Sequence, residues 1–320
     1  MMDNLIVVFG PIAYDDIETQ HGRVKKILGG CGAYTSVVVS SYPVECSLIS
    51  RVGKDFQQSD KDFLISKGVD LEYLEIDQTG NTLFWSGCYS QDFASRSTRE
   101  TKVGVFANHA PIVPKTLKKP EILVLGNISP KIQWSIWNQF STKPPLTVLD
   151  TMNYWIDSQL KNLKQIISKV DLLSINNEEA FSLTNESRIH DAAEKLMGMG
   201  PQYIIIKIGA YGAFLFSKHQ YDYSPAYPVD QTADPTGAGD CFLGGFVGFL
   251  SETKDYSFEN MKLAMHHGTV SASFVVEDFG LRNLVHLTKA SRNTRLKQYN
   301  TLIQLKPEPS PQVYERFHQA

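Results

Sequence analysis

The 320-residue sequence predicts an α/β protein: a three-layer α/β/α sandwich on a mostly parallel central sheet, with a small β-sheet lid projecting from it. Three observations carry that reading. Short apolar runs alternate along the chain with segments of helical spacing, the pattern of repeated strand-helix units. Two stretches rich in β-branched and aromatic residues interrupt the alternation. Finally, the run Asp234-Pro235-Thr236-Gly237-Ala238-Gly239-Asp240 opens straight into an apolar segment that reads as a helix.

The first strand is the run Leu-Ile-Val-Val-Phe at 5–9, ended by the turn signal Gly10-Pro11, and similar runs recur at 121–125, 146–149, 171–175 and 203–208. Between them, segments 33–41, 56–67, 131–140, 157–169 and 191–199 have helical spacing. Regions 14–28 and 81–107 suit a small antiparallel sheet, read as a lid over a main domain of residues 1–13, 29–80 and 108–300. After the Gly-rich run, 240–251 and 258–276 read as helices. The tail, 301–320, is punctuated by Pro307, Pro309 and Pro311 and reads as extended.

Composition excludes several function classes. Lys and Arg number 31 against 34 Asp and Glu, a net charge of -3 with no basic run of five, which argues against a nucleic-acid partner. Cys31, Cys46, Cys88 and Cys241 form no Cys-x-x-Cys pair, so neither a zinc site nor a disulfide framework is expected, and a reducing cytoplasm suits them. No run of eighteen apolar residues predicts a membrane span. No Gly-x-Gly-x-x-Gly follows the first strand, which disfavours a dinucleotide-dependent dehydrogenase.

The Gly-rich run is an anion cradle by its chemistry. Gly237 and Gly239 flank Ala238 and let the backbone turn N–H groups outward at a helix start, where the dipole favours a phosphate. Asp240 at the same helix start would repel that phosphate, and a base that deprotonates an attacking hydroxyl gives the carboxylate a reason to be there. Parallel sheets bind ligands beyond the carboxyl ends of their strands. Gly10-Pro11, Gly126-Asn127, Asp150-Thr151-Met152-Asn153 and Asn176-Asn177-Glu178-Glu179 therefore join the candidate site.

Asp234 to Asp240 reproduces the Asp-x-x-Gly-Ala-Gly-Asp signature of the ribokinase-type (PfkB) carbohydrate kinases, which the chain resembles over nearly its whole length. The resemblance implies a ribokinase-like fold and ATP-dependent phosphorylation of a hydroxyl on a small sugar or polyol. It makes Asp240 the general base and the N–H groups of Gly237, Ala238 and Gly239 the anion hole. It also implies Mg2+, admits a monovalent cation such as K+ near the cradle, and suggests a homodimer formed through the lids. A nucleoside kinase of the same fold and a non-catalytic regulator that binds sugar or nucleotide are the alternatives.

Other motifs follow the same resemblance. Gly29-Gly30 matches the glycine pair of the N-terminal signature, while Tyr34 stands where much of the family has a sugar-contacting asparagine. Its ring either stacks on a flat sugar face or base, or fills space with its hydroxyl wet. Asp15 matches an aspartate that grips sugar hydroxyls, against the reading that it caps a turn, and Asn127 is a weaker candidate for that pocket. Asn176 and Glu179 reproduce an Asn-x-x-Glu element, with Glu179 near the metal, although a helix cap explains both. Asp150 is a candidate for added negative charge there. Lys207, Gly209 and Gly212 resemble the strand-to-turn element beside the nucleotide, and Thr236, Gly268 and Ser271 complete the nucleotide-binding expectation. In the lid, Arg96, Arg99 and Lys102 are candidates to approach the phosphoryl group, and Trp85 to close over the substrate; His266 and His267 read as structural.

Overall fold

The computed structural model describes residues 4–304 other than Ala94, Asn108 and Ala110. The first strand is β1 (Leu5–Phe9); β2 (Ala13–Thr19) and β3 (Gly22–Gly29) then leave it for a second sheet. α1 (Cys31–Val39), β4 (Glu45–Gly53), α2 (Gln58–Ser66) and β5 (Leu74–Asp77) return to the first, and β6 (Leu83–Tyr89) and β7 (Arg96–Lys102) complete the second. The alternation resumes with β8 (Ile122–Leu125), α3 (Pro130–Trp137), β9 (Leu146–Asp150), α4 (Asn153–Ile167) and β10 (Leu172–Asn176). α5 (Asn177–Thr184), α6 (Ile189–Gly198), β11 (Tyr203–Lys207) and the hairpin β12 (Gly212–Phe216) and β13 (Tyr221–Pro225) follow. α7 (Ala238–Thr253), α8 (Phe258–Val275) and α9 (Lys289–Ile303) come last.

The large sheet has nine strands in the order β13-β12-β11-β10-β9-β8-β1-β4-β5, parallel from β5 to β11, with antiparallel pairing only at β11–β12 and β12–β13. Central β1 pairs with β4 and β8, setting Val7 opposite Ser47 and Leu123. Its side chains alternate between two cores, as a strand buried on both faces must. Ile6 and Val8 join residues of α1, α7 and α8, whereas Leu5, Val7 and Phe9 join residues of α3, α4, α5 and α6. These are the three layers that the strand-helix alternation predicts.

The second sheet has the order β3-β2-β6-β7. Its outer pairings are antiparallel as expected, but the middle pair, β2 and β6, runs parallel. The chain crosses the large sheet between those strands, so no hairpin constrains their direction. Strand β4 was not evident because Ser47, Ser50 and Arg51 break its apolar run, and α9 because it buries only Arg292, Leu296 and Tyr299. The extended tail lies outside the described residues from 305 onward. Among the described residues, no helix is long and apolar enough to cross a membrane, and all four cysteines are free thiols.

Candidate active site

Parallel strands bring their carboxyl ends to one rim, and there Asn127, Asp150, Asn176 and Lys207 meet the N-termini of α1 and α7. Asp234 organises the cradle. It was expected at the mouth, yet it is 0 % exposed and spends both oxygens on scaffold, accepting from the Thr236 N–H at 2.9 Å and the Gly280 N–H at 3.1 Å. Gly237 follows at φ 78° and caps α7. A side chain there would be strained, and its Cβ would also lie 2.6 Å from the Tyr34 ring. Ala238 drops out of the expected anion hole because its N–H donates to the Pro235 carbonyl at 3.2 Å. The N–H groups of Gly237 and Gly239 have no such backbone acceptor among the described residues.

Around this cradle stand three carboxylates and one ammonium. Burial, then the charge of Asp150, pushes the Asp240 carboxyl up to about 7 against the opposing pull of Lys207 and Arg96. No hydrogen bond to its carboxylate occurs among the described residues; Thr35 Oγ1 holds only its backbone carbonyl, at 3.2 Å. Lys207 Nζ pairs with Asp150 Oδ1 at 3.2 Å and sits 3.1 Å from where a Gly239 Cβ would stand. Burial disfavours its charge, but Asp150, Glu179 and Asp240 together outweigh that and hold the ammonium protonated. Glu179 is 5 % exposed and pushed up to about 7 by burial and then Asp150. Its Oε2 accepts from the Asn176 N–H while Asn176 Oδ1 accepts from the Glu179 N–H, so the pair forms a capping box on α5.

The acceptor side is drier. Asp15 is 4 % exposed, and burial, reinforced by Asp234 and Asp240, raises its carboxyl to about 8. Among the described residues nothing donates a hydrogen bond to it, so the turn-cap reading fails; the turn bond belongs to Asp16, whose Oδ1 accepts from the Lys26 N–H at 2.7 Å. A Cβ on Gly29 would overlap the Asp15 carboxylate, which explains that glycine by close approach. Gly30, at φ 89°, caps α1 against Pro11 and Ala13. Tyr34 is 1 % exposed, so its hydroxyl is dry rather than wet. Asn127 is engaged elsewhere: its Oδ1 accepts from Trp155 Nε1 at 2.9 Å and its Nδ2 donates to Met152 Sδ at 3.1 Å.

The four-stranded sheet docks on the cradle. Tyr89 at the end of β6 shares a hydrogen bond with Thr236 Oγ1 at 3.0 Å, so the Thr236 hydroxyl serves the lid contact. Thr19 Oγ1 donates to the Ala233 carbonyl at 2.9 Å, and Gln231 bonds His21 at 2.8 Å. The three lid cations separate: Arg96 lies over the Trp85 ring at 5.5 Å, Arg99 pairs with Glu18 at 2.7 Å and Lys102 with Glu100 at 2.9 Å. Only Arg96 adds its charge to the field at Asp15, Glu179 and Asp240.

Two expected nucleotide contacts fall elsewhere. Gly268 packs against the Phe242 carbonyl, at 2.8 Å from a would-be Cβ, and Ser271 lies fully buried under Gly245. Both belong to the α7–α8 seam. Gly209 is exposed with open space around it, and Gly212, at φ 117°, lets β12 approach Ser224 on β13. His267 stacks on Phe249 and bonds Tyr42, and His266 packs edge-on to Tyr299, both in the helical layer. Gln133 carried no signal in the sequence. It is fully buried on α3, and its Nε2 donates to the carbonyls of Gly126 at 2.8 Å and Asp150 at 3.0 Å, joining two strand ends of the rim.

This donor set fits a phosphate ester accompanied by a hydrated divalent cation. Backbone N–H groups and Lys207 face phosphate charge, and Asp150 and Glu179 supply oxygens. Among the described residues no three metal-binding side chains cluster, so a cation here would keep most of its waters and take phosphate oxygens.

Residues 3–287 match the model of the pfkB family of carbohydrate kinases, and the chain belongs to that family. A cytidine kinase of Thermococcus kodakarensis is 26% identical over 249 residues, 76% of this chain and 87% of the relative. A nucleoside kinase of Methanocaldococcus jannaschii shares the fold with a TM-score of 0.74 at 22% identity, covering 92% of this chain and 98% of that one. A Vibrio cholerae fructokinase, solved with fructose, ADP and calcium, superposes with a TM-score of 0.77 at 19% identity, covering 92% of this chain and 100% of that one.

Proposed function

We propose that this chain transfers the γ-phosphoryl group of ATP to a hydroxyl of a small sugar or polyol, with Asp240 as the general base. The observation that carries the reading is the pair Asp15 and Asp240. Both carboxyls are driven up by burial and accept no hydrogen bond from a described residue, beside the unused N–H groups of Gly237 and Gly239. Unpartnered carboxylates next to an anion cradle suit a ligand that brings hydroxyls and phosphate together.

Asp15 accepts hydrogen bonds from the acceptor's hydroxyls and orients it. The reacting hydroxyl gives its proton to Asp240 as its oxygen bonds to the γ-phosphorus; the bond from that phosphorus to the β–γ bridging oxygen breaks, and ADP leaves with that oxygen. The Gly237 and Gly239 N–H groups and Lys207 take up charge on the phosphoryl oxygens. Magnesium, held near Glu179 and Asp150, would supply charge neutralisation at the phosphates. The four-stranded sheet acts as the lid that excludes water, with Arg96 on its inner side. The free thiols suit a cytoplasmic enzyme.

A nucleoside acceptor is the second reading. Tyr34 gives the pocket an aromatic wall, and the cytidine kinase relative aligns over most of both chains. Measuring ADP release with sugars, polyols and nucleosides at equal concentration separates the two. Release with none of them, in protein that binds ATP, would overturn phosphoryl transfer itself.

A further inference from the structure

Tyr34 leaves something unexplained by packing. Its side chain projects from α1 into the space between the acceptor grip and the phosphate cradle, with ring atoms 2.6 Å from the position a Gly237 Cβ would take. The residue is 1 % exposed, and its hydroxyl is buried with no hydrogen-bond partner among the described residues. A buried phenol usually finds a partner, since an unmade hydrogen bond forfeits the solvation it had in water. Asp15 nearby is likewise without a donor among the described residues, so two complementary groups stand unsatisfied on one side of the cradle.

We propose that Tyr34 determines acceptor specificity, its hydroxyl donating a hydrogen bond to an oxygen of the bound acceptor while its ring bounds the pocket against Gly237. The proposal deepens the phosphoryl-transfer reading and rests on it. A phenol that donates and a carboxylate that accepts recognise a group able to do both. That group is a hydroxyl: it takes the Tyr34 proton donor on its lone pair and gives its own proton to Asp15. Burial, with Asp15 next, pushes the Tyr34 phenol well above its usual range, so it remains a donor throughout the working pH range. Such a pocket favours a hydroxylated acceptor over its deoxy analogue, because the analogue leaves both groups unpaired. The ring against Gly237 also limits the room available, so removing it should admit bulkier acceptors.

The test compares wild type with Tyr34→Phe and Tyr34→Asn. ADP release is measured with ribose, 2-deoxyribose, cytidine, 2′-deoxycytidine and 3′-deoxycytidine, and binding of the same probes is measured by calorimetry with a non-hydrolysable ATP analogue present. Wild type should prefer one hydroxylated probe over a deoxy counterpart by about tenfold or more, and Tyr34→Phe should bring that ratio to within about twofold. Tyr34→Phe should melt no lower than wild type in the ligand-free state, because it deletes an unpartnered hydroxyl; a purely structural hydroxyl would lower the melting temperature. Tyr34→Asn should raise turnover of a bulkier probe relative to a smaller one. Wild-type turnover with the same deoxy ratio in Tyr34→Phe, or a lower melting temperature for that variant, overturns the role of Tyr34 alone. Neither turnover nor binding of any probe by wild type defeats the phosphoryl-transfer reading, and this proposal with it.

Discussion

At the scale of single residues, the site works through groups whose partners are missing. Asp240 stands beside Asp150 and Glu179, and its neutral form is favoured in the empty site. Asp240→Asn should lower kcat by about 10²–10⁴-fold and leave the KM for ATP within a few-fold, as steady-state kinetics would show. Asp15 offers a test by stability. Its folded-state carboxyl, near 8 against an ordinary value of 3.8, holds a proton that the unfolded chain has lost, so its contribution to stability falls as pH rises from about 4 to about 8. Asp15→Asn removes that slope. Melting curves should show the variant gaining on wild type from pH 5 to pH 8; equal slopes would mean that Asp15 is not held neutral by its surroundings.

At the scale of elements, the anion cradle depends on the helices and strands that frame it. The Asn176–Glu179 box starts α5 at the end of β10, so Asn176→Ala should cost about 1 kcal/mol and lower the melting temperature by about 2–4 °C. The lid hangs on Tyr89, the partner of Thr236 one residue before Gly237. Tyr89→Phe should loosen lid closure, raise the KM for acceptor a few-fold and increase ATP hydrolysis without acceptor, read as ADP released per phosphorylated product. The lid strands were legible from their β-branched and aromatic content. The parallel pairing of β2 and β6 was not, because the intervening chain runs through the other sheet and leaves no local trace of their register.

At the scale of the whole molecule, one ligand set should tie both sheets together, since Asp15 sits on a lid strand while Lys207 and Asp150 sit in the large sheet. Acceptor and a non-hydrolysable ATP analogue added together should raise the melting temperature by more than either alone, and should slow amide exchange in β6 and around residues 233–240. Removing divalent cations with a chelator should abolish turnover, restored by magnesium.

The layered fold, the cradle at the start of α7 and the carboxylate at its lip follow from the sequence alone. Strand-helix alternation and a Gly-Ala-Gly-Asp turn are local patterns set by backbone sterics and periodicity. Only tertiary structure decided how the aspartates divide their work. Asp234 and Asp240 are six residues apart with the same chemistry, yet one is consumed by Thr236 and Gly280 and the other remains unpaired. It likewise decided that Ala238 spends its N–H on Pro235, that Ser271 and Gly268 serve the α7–α8 seam, and that Gln133 braces the rim. Burial and hydrogen-bond partners come from segments distant in the chain, so residue type at one position cannot encode them.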